Sequence, residues 1–470
     1  MLLERIYDED LAQASYLIGC QANGTAMVID GRRDIAVYRH LARKHGMKIV
    51  AVTETHIHAD YLSGTRELAA ATGATIYVSG EGGPEWQYGF DGVRLFDGAT
   101  ITLGNITVTA VHTPGHTPEH LSFLVTDGAF TDQPGYLFTG DFVFSGDLGR
   151  PDLLDEAAGG TDTRFAAARQ LFASLRDKFL PLPDYVQVHP AHGAGSACGK
   201  AIGAIPSSTV GYERHYAWWS RYLAGNDEQG FVTELLAGQP DAHAYFGRMK
   251  RENREGPALL GERPPLDELH AADVAAGLSA DRVTFIDSRS SRHVHQGTVL
   301  RALNIPAKAM ASYGAWVVNP ETDSNPLVLL AKDREQAQDM RDHLVRVGID
   351  NVTGYVTGVD GLPTVTPALI QPADLAGLNA DTVLDVRNRT EHAAGHIPGS
   401  RQLSGGRIMW HLDELPAGGS IVAYCQTGTR SSVAASALHR AGYDVVELDG
   451  SYAAWQAWQR ARGSVSKSQG

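Results

Sequence analysis

Four short stretches within the first two hundred residues carry side chains able to hold a divalent metal. His56, His58 and Asp60 lie in Thr55-His56-Ile57-His58-Ala59-Asp60-Tyr61, directly after the apolar run Met47 to Val52. His116 stands in Val111-His112-Thr113-Pro114-Gly115-His116-Thr117, where Pro and Gly force a turn that can aim the imidazole into a cleft. Asp141 closes Leu137-Phe138-Thr139-Gly140-Asp141, and His192 closes the run from Tyr185 through His189. Imidazoles and carboxylates at strand ends are metal-ligand types. One such residue in a loop is ordinarily a hydrogen-bonded polar group. Four strand ends of the same chemistry in one stretch of chain point to a shared site.

A second chemistry lies near the C-terminus. Ile421-Val422-Ala423-Tyr424 reads as a buried strand, followed by Cys425-Gln426-Thr427-Gly428-Thr429-Arg430-Ser431-Ser432 and a helical pattern from Val433. A cysteine there meets backbone N–H groups and a helix N-terminus, which stabilise a thiolate or an anionic persulfide, and Arg430 adds a positive charge. The other two of the three cysteines, Cys20 and Cys198, are too far apart to form a disulfide framework or a C-x-x-C knuckle.

These residues need elements to position them. At 470 residues the chain exceeds one ordinary hydrophobic core, and the length favours about three domains. Its first half alternates short apolar runs with helical patterns such as Thr65 to Ala71, and Gly104-Asn105 separates two alternating strands as a hairpin turn. Expected boundaries are a first domain over 1–245, a linker over 246–266 that is charged and punctuated by Gly and Pro, and two further domains over 267–362 and 368–463. The last two are copies of one unit. Val283 to Arg289 matches Thr382 to Arg387, Pro326 to Ala331 matches Ser420 to Cys425, and each second run leads into a helical pattern ending near Gly348 or Gly442. That strand-then-helix rhythm is that of a doubly wound parallel sheet.

Composition narrows the partners. A formal net charge of −14 repels phosphate backbones, so nucleic acid is not expected as partner. No stretch approaches the roughly 20 apolar residues of a membrane span, and the acidic start Met1 to Asp10 lacks a secretory signal, so a cytoplasmic protein without membrane contact is expected.

The histidine-rich stretches, taken in order, resemble the metallo-β-lactamase superfamily, which implies an αββα sandwich with the metal at one edge of its two sheets. Within it, Thr-His-Ile-His-Ala-Asp, His-Thr-Pro-Gly-His-Thr and Phe-Thr-Gly-Asp are most similar to persulfide (sulfur) dioxygenases. That resemblance implies one Fe(II) per chain held by His56, His116 and Asp141, with His58 a further participant and Asp60, Tyr61 and His192 close behind. Two imidazoles and a carboxylate leave positions open for O₂ and a substrate sulfur. Tyr61 stands where dinuclear zinc members carry a His. Arg150, in Gly146-Asp147-Leu148-Gly149-Arg150-Pro151-Asp152, is a candidate for binding an anionic thiol carrier, the alternative being a salt bridge to Asp152. Cys198 is a candidate to carry sulfane sulfur, or else a small buried hydrophobe.

The Cys425 loop resembles the rhodanese active loop, and Asp385-Val386-Arg387, Gly395-His396-Ile397-Pro398-Gly399 and Leu448 to Trp455 fit that family's other marks. The resemblance implies that Cys425 accepts a sulfane sulfur and passes it on. The upstream copy has Ala331 and Gln336 where the repeat aligns Cys425 and Arg430, so it is expected to be catalytically silent. Together the resemblances imply O₂-dependent oxidation of a thiol persulfide such as glutathione persulfide to sulfite, joined to sulfur transfer linking sulfite and thiosulfate, in a homo-oligomer. The rivals are a zinc thioester hydrolase like glyoxalase II and a sulfur carrier or sensor.

Overall fold

The computed structural model describes residues 1–156, 162–377, 382–416 and 419–467. The chain divides into two compact units, one of residues 1–242 and 246–263, the other of residues 243–245 and 264–470.

The first unit holds two six-stranded sheets. One runs in strand order Leu2–Asp8, Gln13–Cys20, Thr25–Ile29, Lys48–Thr53, Thr75–Ser79, Val93–Leu95; the other in order Ser208–Thr209, Gln187–Pro190, Tyr136–Gly140, Leu121–Asp127, Ile106–His112, Thr100–Leu103. Alternation along the strands builds four layers. Tyr16, Ile18, Met27 and Ile29 from the first sheet meet Val108, Phe123, Val125 and Phe138 from the second, forming the core between the sheets. The opposite faces are each covered by helices. Leu17, Val28 and Val52 pack with Tyr38 and Leu68 of the helices Ala36–Lys44 and Thr65–Thr72. Leu137 and Val188 pack with Leu171, Phe172, Phe231 and Leu235 of Thr163–Ser174 and Glu228–Leu236. The expected hairpin is present, with Leu103 opposite Ile106 and Gly104 at φ +57° in its turn.

The second unit contains two five-stranded parallel sheets of identical connectivity. The order is Asp267–Glu268, Val352–Val356, Leu327–Leu330, Thr284–Asp287, Leu303–Asn304 in one, and Leu369–Ile370, Asp444–Leu448, Ser420–Tyr424, Thr382–Asp385, Arg401–Gln402 in the other. All four residues of Leu327–Leu330 are buried, as are Ile421 to Tyr424, so both faces of each central strand are covered. The fold class is therefore the αββα sandwich followed by two α/β repeats that the sequence implies. Each central strand feeds a helix, Arg334–Arg346 or Thr429–Arg440, that ends just before a glycine at positive φ, Gly348 or Gly442.

The segment 246–266, expected as a linker, differs. Residues Phe246–Glu255 form a helix of the first unit, with Phe246, Met249 and Asn253 buried at helical spacing beneath a charged outer face. The charge conceals a narrow buried stripe. Asn253 donates to the carbonyls of His58 (2.8 Å) and Tyr61 (2.7 Å) and accepts from the Ser63 amide (2.9 Å), closing the histidine-bearing loop from below. Asn253→Ala leaves three buried backbone groups unpaired, and a loss of about 2–3 kcal/mol is expected, read as a lowered first transition in thermal unfolding.

Within the second unit, His295 pairs with Glu447 at 2.9 Å. Hydrogen bonding to Glu447, with its charge, raises the His295 pKa despite partial burial. A raised folded-state pKa means that this contribution is complete below the unfolded value of about 6.5 and fades as pH rises through the folded one. Thermal unfolding between about pH 6 and 8 is expected to show this loss, and His295→Ala to flatten it.

Candidate metal centre and thiol site

The edges of the two sheets in the first unit meet at the histidine stretches. The Leu121 amide donates to the Thr55 carbonyl (2.7 Å) and the Ala14 amide to the Ala191 carbonyl (2.6 Å), bringing all four strand ends to one place. His56, His116 and Asp141 present one ligand atom each, mutually within 4.8 Å, and all three are buried. Oδ2 of Asp141 lies 3.5 Å from Nε2 of His116 and 4.0 Å from Nε2 of His56. Two ligands bound at about 2.1 Å to one ion lie roughly 3–3.5 Å apart, so only a small contraction would bring these atoms around an ion.

Each ring has one nitrogen pinned outward. His116 Nδ1 bonds the Arg150 carbonyl (3.2 Å), His192 Nδ1 the Ala12 carbonyl (3.1 Å), His58 Nε2 the Asp30 carboxylate (3.1 Å), and His56 Nδ1 the Thr55 hydroxyl (3.0 Å). Such pinning fixes which nitrogen faces the site. Facing inward, both oxygens of Asp141, Oδ2 of Asp60 and Nε2 of His192 are buried without a hydrogen-bond partner, whereas His58 belongs to neither group of close ligand atoms. Leaving a buried polar atom unpaired costs about 1–3 kcal/mol, and four gathered in one place fit a cation as their common partner. Burial, with the neighbouring rings His58, His116, His120 and His192, holds His56 neutral, and burial lowers His116 despite Asp141. Neutral imidazoles are ligand-competent.

A second group adjoins the first. Asp60, His192 and Cys198 also present ligand atoms mutually within 4.8 Å, and His192 Nε2 stands 3.4 Å from Asp60 Oδ2 and 3.5 Å from Asp141 Oδ1. Burial, then the carboxylates of Asp60 and Asp141, push the Cys198 thiol well above its ordinary range, so without a cation it stays protonated. The Tyr61 hydroxyl is directed elsewhere. It donates to the Asp30 carbonyl (3.0 Å) and accepts from Gln13 (3.2 Å), and burial keeps it a neutral phenol.

Arg150 is engaged by groups of the chain itself. Its guanidinium is fully buried, bonded to both oxygens of Asp152 and to the Ala197 carbonyl, next to Cys198. The carboxylate two residues along captures it, and the geometry is that of the Asp152 salt bridge; its carbonyl and guanidinium tie the His116 and Cys198 segments together.

Two residues of this centre escape the sequence reading. Asp30, at φ +55° after the strand Thr25–Ile29, accepts from the Thr55 amide (2.7 Å) and hydroxyl (2.9 Å) as well as from His58. His120 accepts from the Asp141 amide (3.1 Å), bonds Thr113, and stacks on His56 with ring centroids 5.2 Å apart. Its spacing of four after His116 was the one available signal.

In the second unit, Cys425 directly follows the strand Ser420–Tyr424 with 1% of its surface exposed. Gly428, at φ +110°, turns the loop so that its amide donates to the Cys425 sulfur at 3.1 Å. Arg430 binds Glu391 through both terminal nitrogens (2.6 and 2.8 Å). In the upstream repeat the equivalent loop closes on itself: the Lys332 amide donates to the Gln336 side chain and the Gln336 amide to Asp333, both at 2.8 Å.

An αββα sandwich with a buried imidazole and carboxylate cluster at its sheet edges defines the class of this chain. The Metallo-beta-lactamase superfamily pattern matches residues 8–192 and that of the Rhodanese-like domain residues 372–457. A crystal structure of a metallo-beta-lactamase from Staphylococcus aureus subsp. aureus COL superposes with TM-score 0.65 at 37% identity, covering 75% of this chain and 98% of that one. Hydroxyacylglutathione hydrolase of Polaromonas sp. is 30% identical over 282 residues, 53% of this chain and 98% of that protein. The mitochondrial persulfide dioxygenase ETHE1 of Mus musculus is 26% identical over 198 residues, 41% of this chain and 68% of that protein. The chain belongs to the metallo-β-lactamase superfamily, with a rhodanese-like domain following.

His120→Ala would free the Asp141 amide and remove the ring behind His56. Metal affinity, measured by chelator competition with circular dichroism as the folding control, is expected to fall about 10- to 100-fold; an unchanged affinity would reduce His120 to packing.

Proposed function

We propose that this chain oxidises a low-molecular-weight thiol persulfide with O₂ in its first unit and transfers sulfane sulfur at Cys425 in its second. The observation that carries the reading is the set His56, His116 and Asp141, inward-facing and buried, with Tyr61, whose hydroxyl is engaged by the Asp30 carbonyl, standing where dinuclear zinc members carry a His. Two imidazoles and a carboxylate suit a mononuclear ferrous centre. Bound there, Fe(II) would supply the redox chemistry that lets O₂ react with a thiol persulfide, which zinc could not supply. The protein's own part is to keep His56 and His116 neutral and to hold Asp141 by the His120 contact.

The overall change is RSSH + O₂ + H₂O → RSH + SO₃²⁻ + 2 H⁺. At Cys425, the thiolate takes a sulfane sulfur and the persulfide then gives it to sulfite, forming thiosulfate and regenerating the thiolate. The Gly428 amide stabilises the anionic sulfur in both states. The upstream repeat, which we read as a decayed rhodanese domain, lacks both the thiol and the cation, and its loop amides already have acceptors. Cys198, grouped with Asp60 and His192, is read as a candidate to carry sulfane sulfur; burial keeps its thiol protonated and so a weak nucleophile. Joining both activities on one chain raises the local concentration of their shared intermediates.

The 30% identity to a hydroxyacylglutathione hydrolase favours one rival, thioester hydrolysis at zinc. Metal analysis of protein purified without chelators, paired with an oxygen-electrode trace on adding glutathione persulfide, separates them. About one iron per chain with rapid oxygen loss is expected; zinc without oxygen loss, and release of a thiol from an acylglutathione, would replace the reading with the hydrolase. Cys425→Ser is expected to abolish sulfur transfer and leave oxygen uptake unchanged.

A further inference from the structure

A cavity of about 300 Å³ lies within the second unit, lined by both repeats. Val299 and Ala302 come from the upstream repeat, Ala435 from the helix Thr429–Arg440, and Val445 and Glu447 from the strand Asp444–Leu448. That volume is at the lower end for small-molecule sites. The four apolar side chains are buried, while Leu300 and Val365, which also line the cavity, leave 49% and 41% of their surfaces exposed, so the lining reaches solvent through apolar groups. None of residues 425–431 takes part, which separates the cavity from the Cys425 loop.

Buried polar side chains of the lining are paired, with one exception. Thr298 donates to Asp287 (2.8 Å), and Asn304 donates to the carbonyls of Asp287 and Arg289 and accepts from Ser432 (2.9 Å). Glu447 differs: Oε1 bonds His295 (2.9 Å), whereas Oε2 is buried without a hydrogen-bond partner. The hydrogen bond to Glu447, with its charge, raises the His295 pKa, and a protonated His295 offsets the carboxylate. Arg301 faces Asp281 at 3.4 Å, and the other titratable lining groups, His439 and Asp444, are exposed and solvated. The lining therefore offers a charged ligand no free counter-charge inside, yet an unbonded carboxylate oxygen still accepts a hydrogen bond.

The geometry points to a binding site for a small uncharged molecule with an apolar body and one hydroxyl or N–H donor, the body among Val299, Ala302, Ala435 and Val445 and the donor on Glu447. The site is independent of the sulfur-transfer reading. It gives the silent repeat a part in ligand binding, because half of the apolar wall comes from that copy.

The probe is phenol, titrated into the full-length protein by isothermal calorimetry beside three molecules of similar size: anisole, which lacks the donor, and benzoate and benzylamine, which carry a charge. One saturable phenol site per chain is expected, with each of the other three at least about tenfold weaker, since each forfeits the hydrogen bond or brings a charge out of water. Glu447→Leu is expected to weaken phenol about tenfold and to make phenol and anisole bind alike. Ala302→Phe, which fills the cavity, is expected to abolish phenol binding, with circular dichroism as the folding control for both variants. No saturable binding, anisole as tight as phenol, a charged probe tighter than phenol, or phenol binding unaltered by Ala302→Phe would overturn the inference. Should the variants fail to fold, a phenol-soaked crystal of the native protein decides: phenol against Glu447 supports the site, and phenol only elsewhere overturns it.

Discussion

The carboxylate of Asp141 sits at the end of a buried strand with neither oxygen hydrogen-bonded, facing rings whose outer nitrogens are already held. Such an arrangement is unfavourable for the polypeptide alone, because a desolvated carboxylate needs a partner. The cluster has the composition and closeness of a ligand shell for a cation, which would supply that partner. Much of the first unit serves that constraint: Thr55 joined to Leu121 across the sheets, Asn253 beneath the loop, Asp30 behind His58 and His120 behind Asp141. The helix Phe246–Glu255 belongs to this unit for the same reason, since Asn253 satisfies loop backbone that bends too sharply to satisfy itself.

The second unit shows one loop design with two outcomes. In both repeats a buried parallel strand opens onto a loop of amides at a helix N-terminus, an arrangement that attracts negative charge. Where Cys425 is present, an amide points at sulfur. Where Ala331 replaces it, Gln336 and Asp333 fold back and take the amides themselves. The upstream loop thus satisfies these two donors internally. Ser432 in the helix Thr429–Arg440 donates to Asn304 of the upstream repeat (2.9 Å), whose amide in turn bonds Ser436 (2.9 Å), so hydrogen bonds join the two repeats.

Arg150 and Arg430 illustrate how a charge in a motif differs from a charge in a site. Both are cations beside candidate chemistry, and each is held by a carboxylate, Asp152 or Glu391. Asp152 is two residues away along the chain and Glu391 is thirty-nine. Only the first capture could be weighed from local sequence.

The chain's order and spacing of residues determined the duplicated α/β unit, the ligand types at four strand ends and the placement of Cys425 before a helix, because periodicity and turn chemistry are local and survive in one dimension; the αββα class was implied by the resemblance of the histidine-rich stretches to a known superfamily. Tertiary structure alone decided that His56, His116 and Asp141 meet, that Cys198 joins Asp60 and His192, that Tyr61 turns to Asp30, and that His120 and Asp30 stand behind the ligands. It also moved residues 246–263 from expected linker into the first unit. These facts depend on which strand ends share a sheet edge and which polar atoms find partners across 20 to nearly 200 residues of chain, and neither propensity nor composition encodes a pairing between distant atoms.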